Sequence, residues 1–274
     1  MNVFAGGGNT SYNLAKNIMD VMHKEKVSNQ WMLFTFHSNV PHKLSTDGTK
    51  TIYLAYDSET KVTDKTIWDE IAHFDSNEPD LILCVDRTSY NFYKKYGLPA
   101  EYIPMGYDDL NYKEANVERK HGIGFIGSID EQRNSIFHER YLMVSDLMRQ
   151  SKIYHPTVGN QINYNKINEE YSKCVVGLND IILGINQRCF EIPVAGAAML
   201  VNSQIRDSIN KEYPLKENKH YIVYDLFSDM MINAKAMIEN GEATLKMGER
   251  AKKVALRYPF SKGVIKVIDK WKMR

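Results

Sequence analysis

The chain alternates short apolar runs with helical patterns, and it does so twice. Runs rich in aliphatic and aromatic residues occur at 2–5, 31–36, 51–55, 81–85 and 102–103, and again at 122–126, 153–155, 175–178, 198–201 and 221–223. Between them, apolar residues recur at helical spacing near 11–24, 63–74, 89–96, 135–149, 165–172, 187–195, 229–240 and 245–257. Parallel strands need a crossover long enough for a helix, so this alternation predicts α/β architecture rather than an all-β or all-helical one. Its repetition predicts two Rossmann-like domains whose parallel sheets face each other across a cleft, with ligands gathered beyond the C-terminal ends of the strands. The polar stretch 111–121 lacks a strong apolar period and reads as a linker. The expected division is therefore 1–110, 122–261 and a basic terminal helix over 262–274.

Within the second half, Gly184-Ile-Asn-Gln-Arg-Cys-Phe-Glu-Ile-Pro-Val-Ala-Gly-Ala-Ala-Met-Leu200 carries the strongest chemical signal. It reads as a polar loop, a short helix over 187–195, a stop at Gly196 and a new strand. Arg188 and Glu191, three residues apart, then share a helix face. The guanidinium suits a phosphate, and an ionised carboxylate offers two acceptor oxygens to the hydroxyls of a ribose. The alternative is a surface ion pair worth only tenths of a kcal/mol.

Two glycine-bearing turns come directly after predicted strands. Gly6-Gly-Gly-Asn-Thr10 lets backbone approach a ligand, with Gly6, Gly7 and Asn9 as candidate contacts, or is a tight turn without one. It departs from the G-x-G-x-x-G dinucleotide pattern, and His37 stands where an acidic residue is wanted after the second strand. In the second half a strand ends in Gly127-Ser128, with Arg133 a few residues on, within reach of a diphosphate leaving group or simply exposed in a first helical turn. Asp57, Asp86 and His37 each come after a predicted strand, which makes them alternative candidates for a general base or ordinary loop-capping groups. The acidic Asp57-Ser-Glu59 triplet and the scattered histidines do not make a convincing metal site, so none is expected.

The net charge of +1 conceals an asymmetry: residues 246–274 carry ten Lys or Arg and two acids, or +8, leaving −7 for the rest. Val264, Ile265, Val267, Ile268 and Trp271 would form an apolar stripe that docks this segment, while Lys262, Lys266 and Lys270 line another side. Such a face is either simply solvated or attracts a polyanion such as nucleic acid. No apolar run approaches the roughly 18 residues of a membrane span, and the N-terminus has no signal-peptide pattern, so a cytoplasmic protein is expected. Cys84, Cys174 and Cys189 fall inside apolar elements and read as buried free thiols.

Gly124-Phe-Ile-Gly-Ser128, Arg133, Asn186 to Leu200 and Tyr221-Ile-Val-Tyr-Asp225 together resemble the donor domain of CgeB-like glycosyltransferases of the GT-B fold. The resemblance spans roughly residues 80 to 268 and includes Pro79-Asp-Leu-Ile-Leu-Cys-Val-Asp86 and Tyr96 to Asp108. It implies a metal-independent enzyme that needs no cofactor beyond its nucleoside diphosphate sugar, a UDP-sugar. Glu191 would hold the ribose, Arg133 and Arg188 the diphosphate, and the Gly196-Ala197 turn would close the donor site. The acceptor hydroxyl it suggests is a hydroxymethylated base in phage DNA, in which case the protein works in the host cytoplasm. The alternatives are a cell-envelope, spore-surface or small-molecule acceptor, or a noncatalytic module that binds the sugar nucleotide.

Overall fold

The computed structural model describes residues 2–5, 9–25, 31–35, 50–55, 79–127, 135–149, 153–154, 166–181, 185–208 and 213–272. In chain order these form β1 (Asn2–Ala5), α1 (Asn9–Lys24), β2 (Trp31–Thr35), β3 (Lys50–Ala55), β4 (Leu81–Cys84), α2 (Arg87–Lys95) and β5 (Ala100–Tyr102). Next come β6 (His121–Gly124), α3 (Ser135–Arg149), β7 (Ile153–Tyr154), α4 (Ile167–Ser172), β8 (Cys174–Asn179), α5 (Arg188–Val194), β9 (Ala198–Asn202) and α6 (Gln204–Ser208). The chain closes with β10 (Tyr221–Tyr224), α7 (Phe227–Glu239), α8 (Gly241–Ala255) and α9 (Phe260–Lys272). The helix expected over 63–74 lies outside the described residues. Two compact units result: Met1–Met105 with Phe260–Arg274, and Gly106–Pro259.

The first unit holds a parallel sheet in the order β1-β2-β3-β4-β5. Successive residues of its strands point to opposite faces, and both faces are covered. Ile52, Leu54, Leu81 and Leu83 pack with Ile18, Val21 and Met22 of α1, whereas Tyr53, Ala55, Ile82 and Cys84 pack with Tyr93 of α2. Burial on both sides is why these strands read as unbroken apolar runs rather than as alternating ones. The C-terminal α9 belongs to this unit: Val264, Val267 and Ile268 are buried in the α1 cluster, and Ile265 and Trp271 pack against it. Its Lys270 Nζ lies 2.8 Å from Glu101 Oε2, so one of the three lysines of the basic side is paired within the fold.

The second unit is a parallel sheet in the order β10-β9-β8-β6-β7. Ile123, Phe125, Val176, Leu178, Ala198 and Leu200 bury one face against Val144 and Leu147 of α3 and Met230, Ala234 and Met237 of α7. The stretch 111–121 runs into this unit's β6, and Arg119 donates from Nη2 to the carbonyl of Gly196 (2.7 Å) and from Nη1 to that of Cys174. The strand order matters for function. The chain begins in β6, goes to β7 on one side, then returns to β8 on the other side of β6. In open parallel sheets a ligand crevice lies at such a reversal, beyond the C-terminal ends of the two strands flanking it.

Candidate functional site

The reversal brings together the segments at the C-terminal ends of β6 and β8. After β6 come the buried Phe125 and Ile126 and then Gly127. After β8 the chain turns through Asp180 and Ile181 and re-enters at Asn186 and Gln187 before α5 begins at Arg188. The re-entry is fixed by a reciprocal amide pair: Asn179 Nδ2 donates to Asn186 Oδ1 (3.1 Å) and Asn186 Nδ2 to Asn179 Oδ1 (3.0 Å). Asn179 is fully buried, so this pair satisfies amide groups that would otherwise be costly to bury. Helix α5 then buries Cys189, Phe190, Ile192, Pro193 and Val194, which leaves Arg188 and Glu191 on its remaining side.

The Arg188 guanidinium sits over the Phe125 ring, 5.2 Å from its centroid. A Cβ at Gly127 would lie 3.0 Å from Phe125 Cζ and 3.3 Å from Arg188 Nη1, so the absence of a side chain there leaves the guanidinium its place. Arg188 Nη1 is buried and has no hydrogen-bond partner among the described residues. A buried cationic donor without an acceptor is costly, and an anionic ligand relieves that cost. Glu191 is no ordinary surface carboxylate either: burial pushes its carboxyl up to about 7, opposed by the charge of Arg188 and reinforced by that of Asp108. These two residues are thus not the solvated ion pair that their spacing alone permits.

The charge of Arg188 bears on a second guanidinium. Arg140 of α3, only 4% exposed, donates from Nε to Asp180 Oδ2 (2.7 Å) and from Nη2 to the Asp180 carbonyl (2.6 Å). Burial lowers its pKa, and the next largest cause is the charge of Arg188. Asp180 Oδ1 accepts from Asn202 Nδ2 (2.9 Å) and from the Tyr224 hydroxyl (3.3 Å). Sequence reasoning passed over Arg140, Asp180, Asn202 and Tyr224. Asp180, Asn202 and Tyr224 carry one visible signal, as polar side chains at the C-terminal ends of β8, β9 and β10, the sheet edge where a ligand is expected; Arg140, in α3, carries none.

The other candidate residues scatter. Gly196 and Ala197 precede β9, at the N-terminal edge of the sheet, whereas Arg188 lies past the C-terminal edge of β8. Gly196 has φ of 73° and stops α5, and its carbonyl would lie 2.2 Å from a Cβ on Gly248 of α8. That turn builds the helix stop and the α8 contact rather than the ligand corner. Asp86 is the N-cap of α2, its carboxylate accepting from Ser89 N (2.7 Å) and Ser89 Oγ (2.7 Å), and burial pushes its pKa up. Asn9 is the first residue of α1. Gly6, Gly7, His37, Asp57, Ser128 and Arg133 lie outside the described residues. Among the described residues no three His, Cys, Asp or Glu side chains gather as a metal site, and no helix is long and apolar enough to cross a membrane. Cys84, Cys174 and Cys189 are buried and unbridged, and burial pushes the Cys189 thiol up to about 11.

No protein-family model and no curated protein sequence matches the chain. Solved structures do. Anabaena HepE in complex with UDP and glucose superposes with a TM-score of 0.67 at 8% identity, over 99% of this chain and 99% of that one. Sucrose-phosphate synthase from Thermosynechococcus elongatus gives 0.61 at 8% identity, over 96% and 78%. An alpha,alpha-trehalose-phosphate synthase (UDP-forming) from Burkholderia vietnamiensis gives 0.56 at 10% identity, over 98% and 81%. The chain therefore has the two-domain α/β fold with parallel sheets, the GT-B architecture, that these proteins share.

Proposed function

We propose that the protein is a nucleotide-sugar-dependent glycosyltransferase whose donor, a UDP-sugar, binds at the C-terminal ends of β6 and β8. The buried Nη1 of Arg188, which has no hydrogen-bond partner among the described residues, lies at the strand-order reversal and carries this reading. The fold shared with HepE, solved with UDP and with UDP-glucose, supports a uridine diphosphate donor. Arg188 meets the diphosphate and Glu191, ionised, accepts the two ribose hydroxyls. As the bond from the sugar C1 to the phosphate oxygen breaks, negative charge grows on that oxygen, and a preplaced guanidinium stabilises it without a metal ion. Arg133 is the second proposed contact to the leaving group. The acceptor hydroxyl adds to C1, and the base that takes its proton is sought among Asp57, Asp86 and His37; both oxygens of Asp86 are already engaged by Ser89.

For the acceptor we favour a carbohydrate, as a small molecule or in the cell envelope, because similar structures are named as sucrose-phosphate and trehalose-phosphate synthases. The CgeB-like resemblance and a hydroxymethylated DNA base form the second reading, supported by the exposed Lys262 and Lys266 on α9. Calorimetric titration with UDP, UDP-glucose and other nucleotide sugars tests the donor. Wild type should bind a UDP-sugar, and Arg188→Ala and Glu191→Ala should each weaken it by about tenfold or more, the loss of one charged contact. Unchanged affinity in both variants overturns the site. Salt-dependent duplex binding, contrasted with sugar transfer to carbohydrate acceptors, separates the two acceptor readings.

A further inference from the structure

We propose that Asp180 is a positioning residue for Arg188, acting on the ligand through that guanidinium rather than touching it; this rests on the donor-site reading above. Arg140 is 4% exposed, Arg188 Nη1 is buried, and the charge of Arg188 bears on Arg140. Left alone the two like charges would repel. Asp180 supplies the counter-charge. Its two carboxylate oxygens and its carbonyl are engaged by groups from three elements: Arg140 of α3, Asn202 of β9 and Tyr224, the last residue of β10.

The Asp180 carboxylate also engages the side chain that holds its neighbour. Asn202 takes hold of the residue next to Asp180 at two points, accepting from Ile181 N at Oδ1 (3.1 Å) and donating from Nδ2 to Ile181 O (2.6 Å). The far end of the loop is held by the Asn179–Asn186 amide pair, two residues before Arg188. Asp180–Ile181 and Asn186 are therefore each held to the sheet, the first pair through Asn202, whose Nδ2 also donates to the Asp180 carboxylate. With a side chain 16% exposed and both oxygens occupied, Asp180 is not a ligand contact.

The test compares UDP with uridine, which lacks the diphosphate, by calorimetric titration of wild type, Asp180→Asn and Tyr224→Phe, each also carrying Arg188→Ala. Asp180→Asn should weaken UDP binding by about tenfold, or about 1.4 kcal/mol, and leave uridine unchanged. Tyr224→Phe, which removes one donor to Asp180 and keeps its charge, should move UDP binding in the same direction by less. In the Arg188→Ala background both effects on UDP should vanish, because the residue through which they act is gone. An equal loss for UDP and uridine, a loss that persists without Arg188, or tighter UDP binding as expected of a bare repulsive charge, overturns the proposal. If Asp180→Asn does not fold, Tyr224→Phe decides, and an unchanged ratio of UDP to uridine affinity overturns it. Wild type that binds neither compound overturns the donor-site reading itself, an outcome distinct from all of these.

Discussion

Replacing Glu191 by Gln isolates the desolvation of that carboxyl from any question of ligand. In the folded protein burial pushes the carboxyl from an ordinary 4.5 up to about 7, with Arg188 opposing the rise and Asp108 adding to it. A folded-state value above the unfolded one means that the native protein binds this proton more tightly than the unfolded chain. The associated stability is fully present below 4.5 and is lost as pH rises through about 7. At about 1.4 kcal/mol for each pH unit of that interval, the ionised carboxylate costs about 3 kcal/mol at about pH 8. Gln has nearly the same shape and cannot ionise. Urea unfolding should therefore show the variant and wild type alike at about pH 4, and the variant more stable by about 3 kcal/mol at about pH 8. A difference that stays constant across this range, or a wild type that is the more stable at high pH, refutes the reasoning. The ionised form is the one proposed to accept the ribose, so wild-type affinity for a UDP-sugar should fall about tenfold per pH unit below 7, and the Gln variant should show no such slope.

Gly127→Ala places a methyl group against Arg188 Nη1 and Phe125, and we expect calorimetric affinity for UDP to drop by about tenfold with little change in thermal midpoint. Gly248→Ala drives a methyl group to 2.2 Å from the Gly196 carbonyl, a clash with backbone rather than with a flexible side chain, and should destabilise the second unit by about 1–3 kcal/mol in urea titrations. Asp86→Ala removes the N-cap of α2 and should cost about 1 kcal/mol by the same measurement. If Asp86 is instead the general base, transfer rate falls by far more than that stability loss accounts for.

The elements that bury apolar surface on both faces were legible in the chain. β8 and β9 read as apolar runs because no side of them meets water, and α9 showed its docking stripe because Val264, Val267 and Ile268 recur at helical spacing. Arg188 and Glu191 stood out because a short helix starts immediately after a strand and loop. Partners distant in sequence left no such trace. Arg140 meets Asp180 across forty positions, and Asp108 acts on Glu191 from another loop. No periodicity records such pairings, because they are set by strand order. That order was itself unreadable: the same alternation of strand and helix serves both β1-β2-β3-β4-β5 and β10-β9-β8-β6-β7. The Gly196-Ala197 turn shows the converse limit. Its glycine was correctly seen as a helix stop, but spacing cannot say that the stop lies at the sheet edge away from Arg188.

A crystal structure with UDP bound tests the central claim most directly. Diphosphate oxygens should lie about 3 Å from the Arg188 guanidinium, satisfying its Nη1, and ribose hydroxyls should lie on the Glu191 carboxylate. UDP seated elsewhere on the protein, with Arg188 Nη1 still unpartnered, would contradict it.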